Sequence, residues 1–70
     1  MNIEDLQHIF KGQIEQIQEL GKPVPLYFML LDGDRALIQR HNHTELESLL
    51  PMLASFQYAG NNGNIPRFAK

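Results

Sequence analysis

Apolar side chains recur at the spacing of an α-helix through the first part of the chain. They form a single stripe: Ile3, Leu6, Phe10, Ile14 and Ile17. Asn2 can cap the first turn, and Gly21 stands where such a helix ends. The pattern predicts one helix over 3–20. Gly12 lies on its polar side and weakens it by about 1 kcal/mol relative to alanine.

A β-hairpin is predicted next, because apolar segments over 26–31 and 35–40 flank the turn sequence Asp32-Gly33-Asp34. Two registers are open. A two-residue turn at 32–33 would place Leu30 opposite Arg35, whereas a three-residue loop would place Leu30 opposite Ala36. We favour the second register, because it pairs apolar with apolar residues along one face.

The sequence Thr44-Glu-Leu-Glu47 has capping-box spacing and predicts that Thr44 begins a second helix. Pro51 lies seven residues into this helix and should kink or split it. Glycine and asparagine dominate the segment after Tyr58. We therefore expect a single folded domain over 1–59 and a flexible C-terminal tail over 60–70.

This order of elements predicts a small α+β domain, helix–hairpin–helix. Two strands alone make a weak sheet. A chain of 70 residues without cysteine also has no disulfide to reinforce a small core. We therefore expect two copies to pair strand to strand, so that a four-stranded antiparallel sheet forms across a homodimer.

The predicted core combines the helix stripes with one face of the hairpin. It comprises Ile3, Leu6, Phe10, Ile14, Ile17, Leu26, Phe28, Leu30, Ile38, Leu46, Leu49, Leu50, Leu53 and Phe56. The other hairpin face is too apolar to lie fully in water, and the tail adds an aromatic anchor. The predicted partner-binding residues are Tyr27, Met29, Leu31, Arg35, Leu37 and Phe68.

Charge and composition narrow the function. Eight acids against six scattered bases give a net charge of -2, which argues against a protein that works by neutralising phosphates. The first residues lack the basic segment and the following apolar segment of a signal peptide. The longest apolar run, 24–31, is too short to span a membrane. We expect a soluble cytoplasmic protein with no membrane partner.

Few residues could carry chemistry. His41 and His43 point the same way in an extended chain and could reach one metal ion, but a site needs further ligands. Turn chemistry accounts for Asp32 and Asp34, and neither serine has a base at a spacing that specifies a pair. The sequence therefore predicts no cofactor, no small-molecule substrate and no enzymatic activity, although an active site formed at a dimer interface stays open.

The function hypothesis that follows is a non-catalytic protein-interaction module, such as an adaptor, an inhibitor or a regulatory subunit, acting as a homodimer. Two alternatives stay open. One is a nucleic-acid-binding regulator that uses Tyr27 and Phe28 for stacking and Arg35 and Arg40 for phosphate contacts. The other is a metal-dependent role through His41 and His43.

Overall fold

The computed structural model describes residues 1–22 and 24–70, which form an α+β domain with helices on one face of a sheet. The helices are α1 (Ile3–Ile9), α2 (Lys11–Leu20), a 3-10 helix (His43–Ser48) and α3 (Leu49–Leu53). The strands are β1 (Pro25–Asp32), β2 (Arg35–Asn42), β3 (Gln57–Asn62) and β4 (Ile65–Ala69). The predicted α+β class is confirmed. The four-stranded sheet is completed within one chain and does not need a second copy.

The sheet is mixed, with strand order β2-β1-β4-β3. β1 runs antiparallel to β2 and parallel to β4, and β3 runs antiparallel to β4. The core lies between the helices and one face of this sheet. It comprises Leu6, Phe10, Leu26, Phe28, Leu49, Leu53 and Phe68, each at most 1% exposed. Of the helices in the described residues, none is long and apolar enough to cross a bilayer.

The first helical segment begins as predicted but is not continuous. Asn2 accepts a hydrogen bond from the Asp5 amide at 2.9 Å, and the Asp5 carboxylate accepts one from the Asn2 amide at 3.1 Å. Phe10 leaves the helical conformation (φ -90°, ψ 11°) and separates α1 from α2. Its ring is fully buried, with its centroid 6.1 Å from that of Phe28. The break thus falls at a residue whose burial in the core outweighs helix propensity.

The second helical segment begins differently from the prediction. Asn42, and not Thr44, provides the cap, and its side chain accepts a hydrogen bond from the Thr44 amide at 3.2 Å. The segment is split, as Pro51 suggested, into the 3-10 helix and α3. Pro51 is the third residue of α3. The first four amides of a helix have no partner within the helix, so proline costs little there.

The β1–β2 hairpin has neither of the two predicted registers. Asp32 pairs with Arg35 across a two-residue turn at Gly33 and Asp34, so Leu30 lies opposite Leu37. Gly33 has a φ of +61° and no other type of described residue has a positive φ, which is the pattern of a type II′ turn. One step of register exchanges the faces of β2. Ile38, expected in the core, is therefore 61% exposed on the opposite face.

The segment 60–70, predicted as a flexible tail, instead completes β3 and forms β4. Asn62 pairs with Ile65 across a turn at Gly63 and Asn64, and Gly63 has a φ of +63°. β4 lies in the interior of the sheet, between β1 and β3. Phe68 is fully buried, 5.9 Å from Phe28 between ring centroids. Its burial supplies part of the free energy that orders this segment.

Candidate interaction surface

In the described part of the chain, the fold leaves the sheet face opposite the helices uncovered. Alternation along the strands assigns it, because paired residues share a face. We call it the open face. Its central members are Tyr27, Met29, Leu31, Ala36, Ile38, Arg40, Ile65, Arg67 and Ala69, and the same pairings place Pro25, Asn42, Gln57 and Asn62 at its rim. Ile38 and Tyr27 are exposed, whereas Met29 and Leu31 are half-buried by their neighbours. A contiguous apolar patch of this kind is typical of a binding surface.

The charges divide between the two layers of the domain. The open face has no acidic residue and has two guanidinium groups, on Arg40 and Arg67. Two acids, Asp32 and Asp34, lie at the end of the β1–β2 hairpin. The other six lie in the helical layer: Glu4, Asp5, Glu15, Glu19, Glu45 and Glu47. The open face is therefore cationic and apolar in a chain whose net charge is negative.

Arg67 is on β4 and its side chain is anchored to the neighbouring edge strand, β3. Its Nη2 donates a hydrogen bond to the Ala59 carbonyl at 2.9 Å, where the pairing of β3 with β4 is irregular between Tyr58 and Asn61. Its Nε is buried and has no hydrogen-bond partner among the described residues. An anchored guanidinium loses less conformational entropy on binding an acid than a free one does.

Gln13 on α2 positions β1 behind this face. Its Nε2 donates to the carbonyls of Tyr27 and Asn64 at 2.7 and 2.8 Å, and its Oε1 accepts from the Tyr27 amide at 2.8 Å. The amide of Lys70 bonds the Leu31 carbonyl, so the parallel ladder would reach the Tyr27 carbonyl from residue 66. Residue 66 is proline and has no N–H to donate. The Gln13 side chain therefore takes the place of the missing ladder bonds.

Gly12 leaves room for the Asn64 side chain beside this arrangement. A Cβ atom on Gly12 would lie 2.5 Å from Oδ1 of Asn64, in the β3–β4 turn. The glycine that weakens the helix therefore allows the turn to approach α2 closely enough for the neighbouring Gln13 to bond the Asn64 carbonyl. The sequence showed the cost of Gly12 but not this benefit, because the contact joins residues far apart in the chain.

The structure brings only half of the predicted binding residues together. Tyr27, Met29 and Leu31 lie side by side on the open face. Arg35 and Leu37 pair with Asp32 and Leu30, so they belong to the face on which the helices pack.

Phe68 is wrong as a binding residue, because its side chain is completely buried in the core. Sequence reasoning also missed Ile38 and Arg67 on the open face. The glycine in the first central position of each turn was the signal that could have placed them, since it specifies a type II′ turn and hence the register.

The two candidate metal ligands have different surroundings. The His41 ring stacks on Phe28 with centroids 5.3 Å apart, and its Nδ1 lies 3.8 Å from a carboxylate oxygen of Glu45. Nδ1 of His43 is buried without a hydrogen-bond partner. In residues 1–22 and 24–70 there is no group of three or more side chains placed to hold a metal ion. Packing against Phe28 accounts for the position of His41.

No family model matches this sequence, and neither curated proteins nor solved structures include a significant match.

Proposed function

We propose that this chain is a non-catalytic protein-interaction module, an adaptor, inhibitor or regulatory subunit that acts as a homodimer and binds its partner through the open face. The observation that carries the proposal is an uncovered sheet face with apolar residues and two arginines but no acid. Tyrosine and arginine are the residue types that contribute most to protein interfaces.

The chemistry of the face defines the partner. An apolar segment flanked by aspartate or glutamate would cover Tyr27, Met29 and Leu31 and pair with the guanidinium groups of Arg40 and Arg67. Opposite charge across the rim also speeds association and excludes basic surfaces. The proposed partner is therefore an acidic protein surface with an apolar centre.

Selection from a displayed peptide library, with the full chain as bait, tests this proposal. We expect the selected peptides to be enriched in acidic and apolar residues. The double variant Tyr27→Ser/Leu31→Ser should lose their binding while keeping the helical circular dichroism. The matched control is Leu20→Ser/Met52→Ser, which removes two exposed apolar side chains outside the sheet and should bind as the wild type does. Equal loss in both pairs, or no selection of acidic peptides, would contradict the proposal.

Single-stranded nucleic acid is the second candidate ligand, and the acid-free face with two arginines is the observation in its favour. Only one aromatic ring, that of Tyr27, lies on this face, since Phe28 is in the core. Fluorescence anisotropy of labelled oligonucleotides, measured against salt concentration, distinguishes the two ligands. A nucleic-acid ligand requires affinity that falls steeply with salt and is lost in Tyr27→Ser.

A further inference from the structure

The two edges of the sheet differ in how well they are protected from pairing with another strand. β3 has six residues, contains Gly60, and its pairing is interrupted between Tyr58 and Asn61. β2 has eight residues in unbroken register with no proline. Leu37 and Ile38 on its two faces are 48% and 61% exposed. An unbroken edge strand with exposed apolar residues at its centre is a template for another strand.

The hairpin register fixes which backbone groups β2 offers. Asp32 and Arg35 close a two-residue turn as a hydrogen-bonded pair, and bonded and non-bonded pairs then alternate along the ladder. Arg35, Leu37 and Gln39 thus bond to β1, whereas residues 36, 38 and 40 direct their N–H and C=O groups outward. A strand that docks on this edge must bond to those three positions.

We propose that the strand that docks there is β2 of a second copy of this chain, antiparallel, with Leu37 opposite Leu37. In this register the outward-directed N–H and C=O groups of the two strands face each other, because Ala36 lies opposite Ile38 of the second copy. It also brings Asp34, in the turn that leads into β2, beside Arg40 of the second copy, twice in each dimer. In the two neighbouring registers that keep the outward groups in phase, Asp34 lies beside Ile38 or Asn42 of the second copy and not beside Arg40.

The resulting dimer has a continuous eight-stranded sheet. Its two-fold axis is perpendicular to the sheet, so both helical layers lie on one side. The two open faces lie next to each other on the other side. This dimer rests on the homodimer of the proposed function and specifies how it forms, and it can form whether or not the open face binds an acidic partner.

Cysteine cross-linking tests the register directly, since the chain has no cysteine of its own. Leu37→Cys places two thiols at a non-bonded pair with Cα atoms about 4.5 Å apart, within disulfide reach. The control Gln39→Cys places them about 14 Å apart, since residue 39 then lies four positions along the strand from its counterpart. We expect mild oxidation to yield covalent dimers of the first variant alone. Equal cross-linking in both variants, or in neither, would overturn the register.

Charge exchange tests the pairing by a second route. Asp34→Arg and Arg40→Asp should each raise the dimer dissociation constant about tenfold, measured by sedimentation equilibrium, because two ion pairs become like-charge pairs. The double exchange Asp34→Arg/Arg40→Asp should restore the dissociation constant to within about threefold of the wild-type value. Glu19→Arg, at an exposed position of α2, should leave the dissociation constant unchanged.

Self-association and partner binding can fail separately. Tyr27→Ser/Leu31→Ser should abolish peptide binding and leave the dimer mass unchanged. A double exchange that stays as weak as the single variants would overturn this strand pairing. A wild-type chain with the monomer mass up to about 1 mM would overturn both the pairing and the homodimeric part of the proposed function, but not partner binding through the open face.

Discussion

The two hairpins of this domain are built on the same turn but have different surroundings. Asp32-Gly33-Asp34-Arg35 and Asn62-Gly63-Asn64-Ile65 each place glycine first, with φ values of +61° and +63°. The β3–β4 turn is held against α2, because the Asn64 carbonyl accepts from Gln13. The β1–β2 turn has no such bond, and its residues are exposed. The turn therefore fixes the register in both hairpins, while contacts elsewhere decide which strands are buried.

The difference determines what each hairpin contributes. β4 lies inside the sheet and places Phe68 in the core, whereas β2 forms an edge with Ile38 in solvent. β4 thus supplies stability and β2 supplies surface. Substitutions matched between the two can break or sharpen this comparison.

The largest effect is expected from the aromatic core. Phe68→Ala should cost about 3–5 kcal/mol of unfolding free energy, because the ring is fully buried between Phe10 and Phe28. A domain of this size has about 4–10 kcal/mol in total, so the variant should lose a large share of its stability. Urea denaturation followed by circular dichroism measures the loss. Ile38→Ala, the matched change on β2, should cost less than about 0.5 kcal/mol at low protein concentration.

Similar losses for Phe68→Ala and Ile38→Ala would mean that β4 and β2 are buried alike. A small loss for both would return 60–70 to the flexible tail that its composition predicts.

That composition explains why sequence reasoning found one hairpin and missed the other. β1 is an apolar run, which identifies it as a strand. β3 contains alanine, glycine and asparagine, which are depleted in strands. β4 also contains Pro66, which is rare inside a sheet. It is tolerated here because Gln13, 53 positions earlier, supplies the missing hydrogen bonds. A compensation between residues so far apart leaves no local pattern to recognise.

The open face shows the same limit. Tyr27, Met29 and Leu31 could be predicted together, because alternation within one strand places them on one side. The residues that β2 and β4 add could not, since a one-residue error in register moved Ile38 to the wrong face and β4 was not recognised as a strand. Helix caps depend on neighbouring residues, and the caps at Asn2 and Gly21 were predicted correctly for that reason, although the cap at Asn42 was placed two residues late, at Thr44.

The next largest effect is expected at the contact between α2 and the sheet. Gln13→Ala should cost about 2–3 kcal/mol, because it leaves the amide and carbonyl of Tyr27 and the carbonyl of Asn64 without their partner. Gln16→Ala, one turn away and exposed, should be close to neutral. Urea titration of both variants gives the comparison. Equal stability of the two would show that the Gln13 bonds contribute nothing beyond solvation of the same groups.

The two turn glycines test whether the hairpins depend on their turns alike. Gly33→Ala and Gly63→Ala should each cost about 1–2 kcal/mol, since both need a positive φ that alanine adopts poorly. No other atom lies within 4 Å of the added Cβ at either position, so the cost is conformational in both. Asp34→Ala, with negative φ, is the control and should be nearly neutral. Thermal unfolding that separates the two glycine variants widely would show that the turns are not equivalent.

The smallest effect is expected at Gly12, where two opposing terms nearly cancel. Alanine there would strengthen α2 by about 1 kcal/mol, but its Cβ would force the end of the Asn64 side chain to move. We expect Gly12→Ala to change stability by less than about 0.5 kcal/mol in the wild-type background and to stabilise the Asn64→Ala background by about 1 kcal/mol. A double-mutant cycle measured by urea denaturation gives this difference. A gain of the same size in both backgrounds would mean that Asn64 moves aside at no cost, so that close approach of the turn would not explain why residue 12 is glycine.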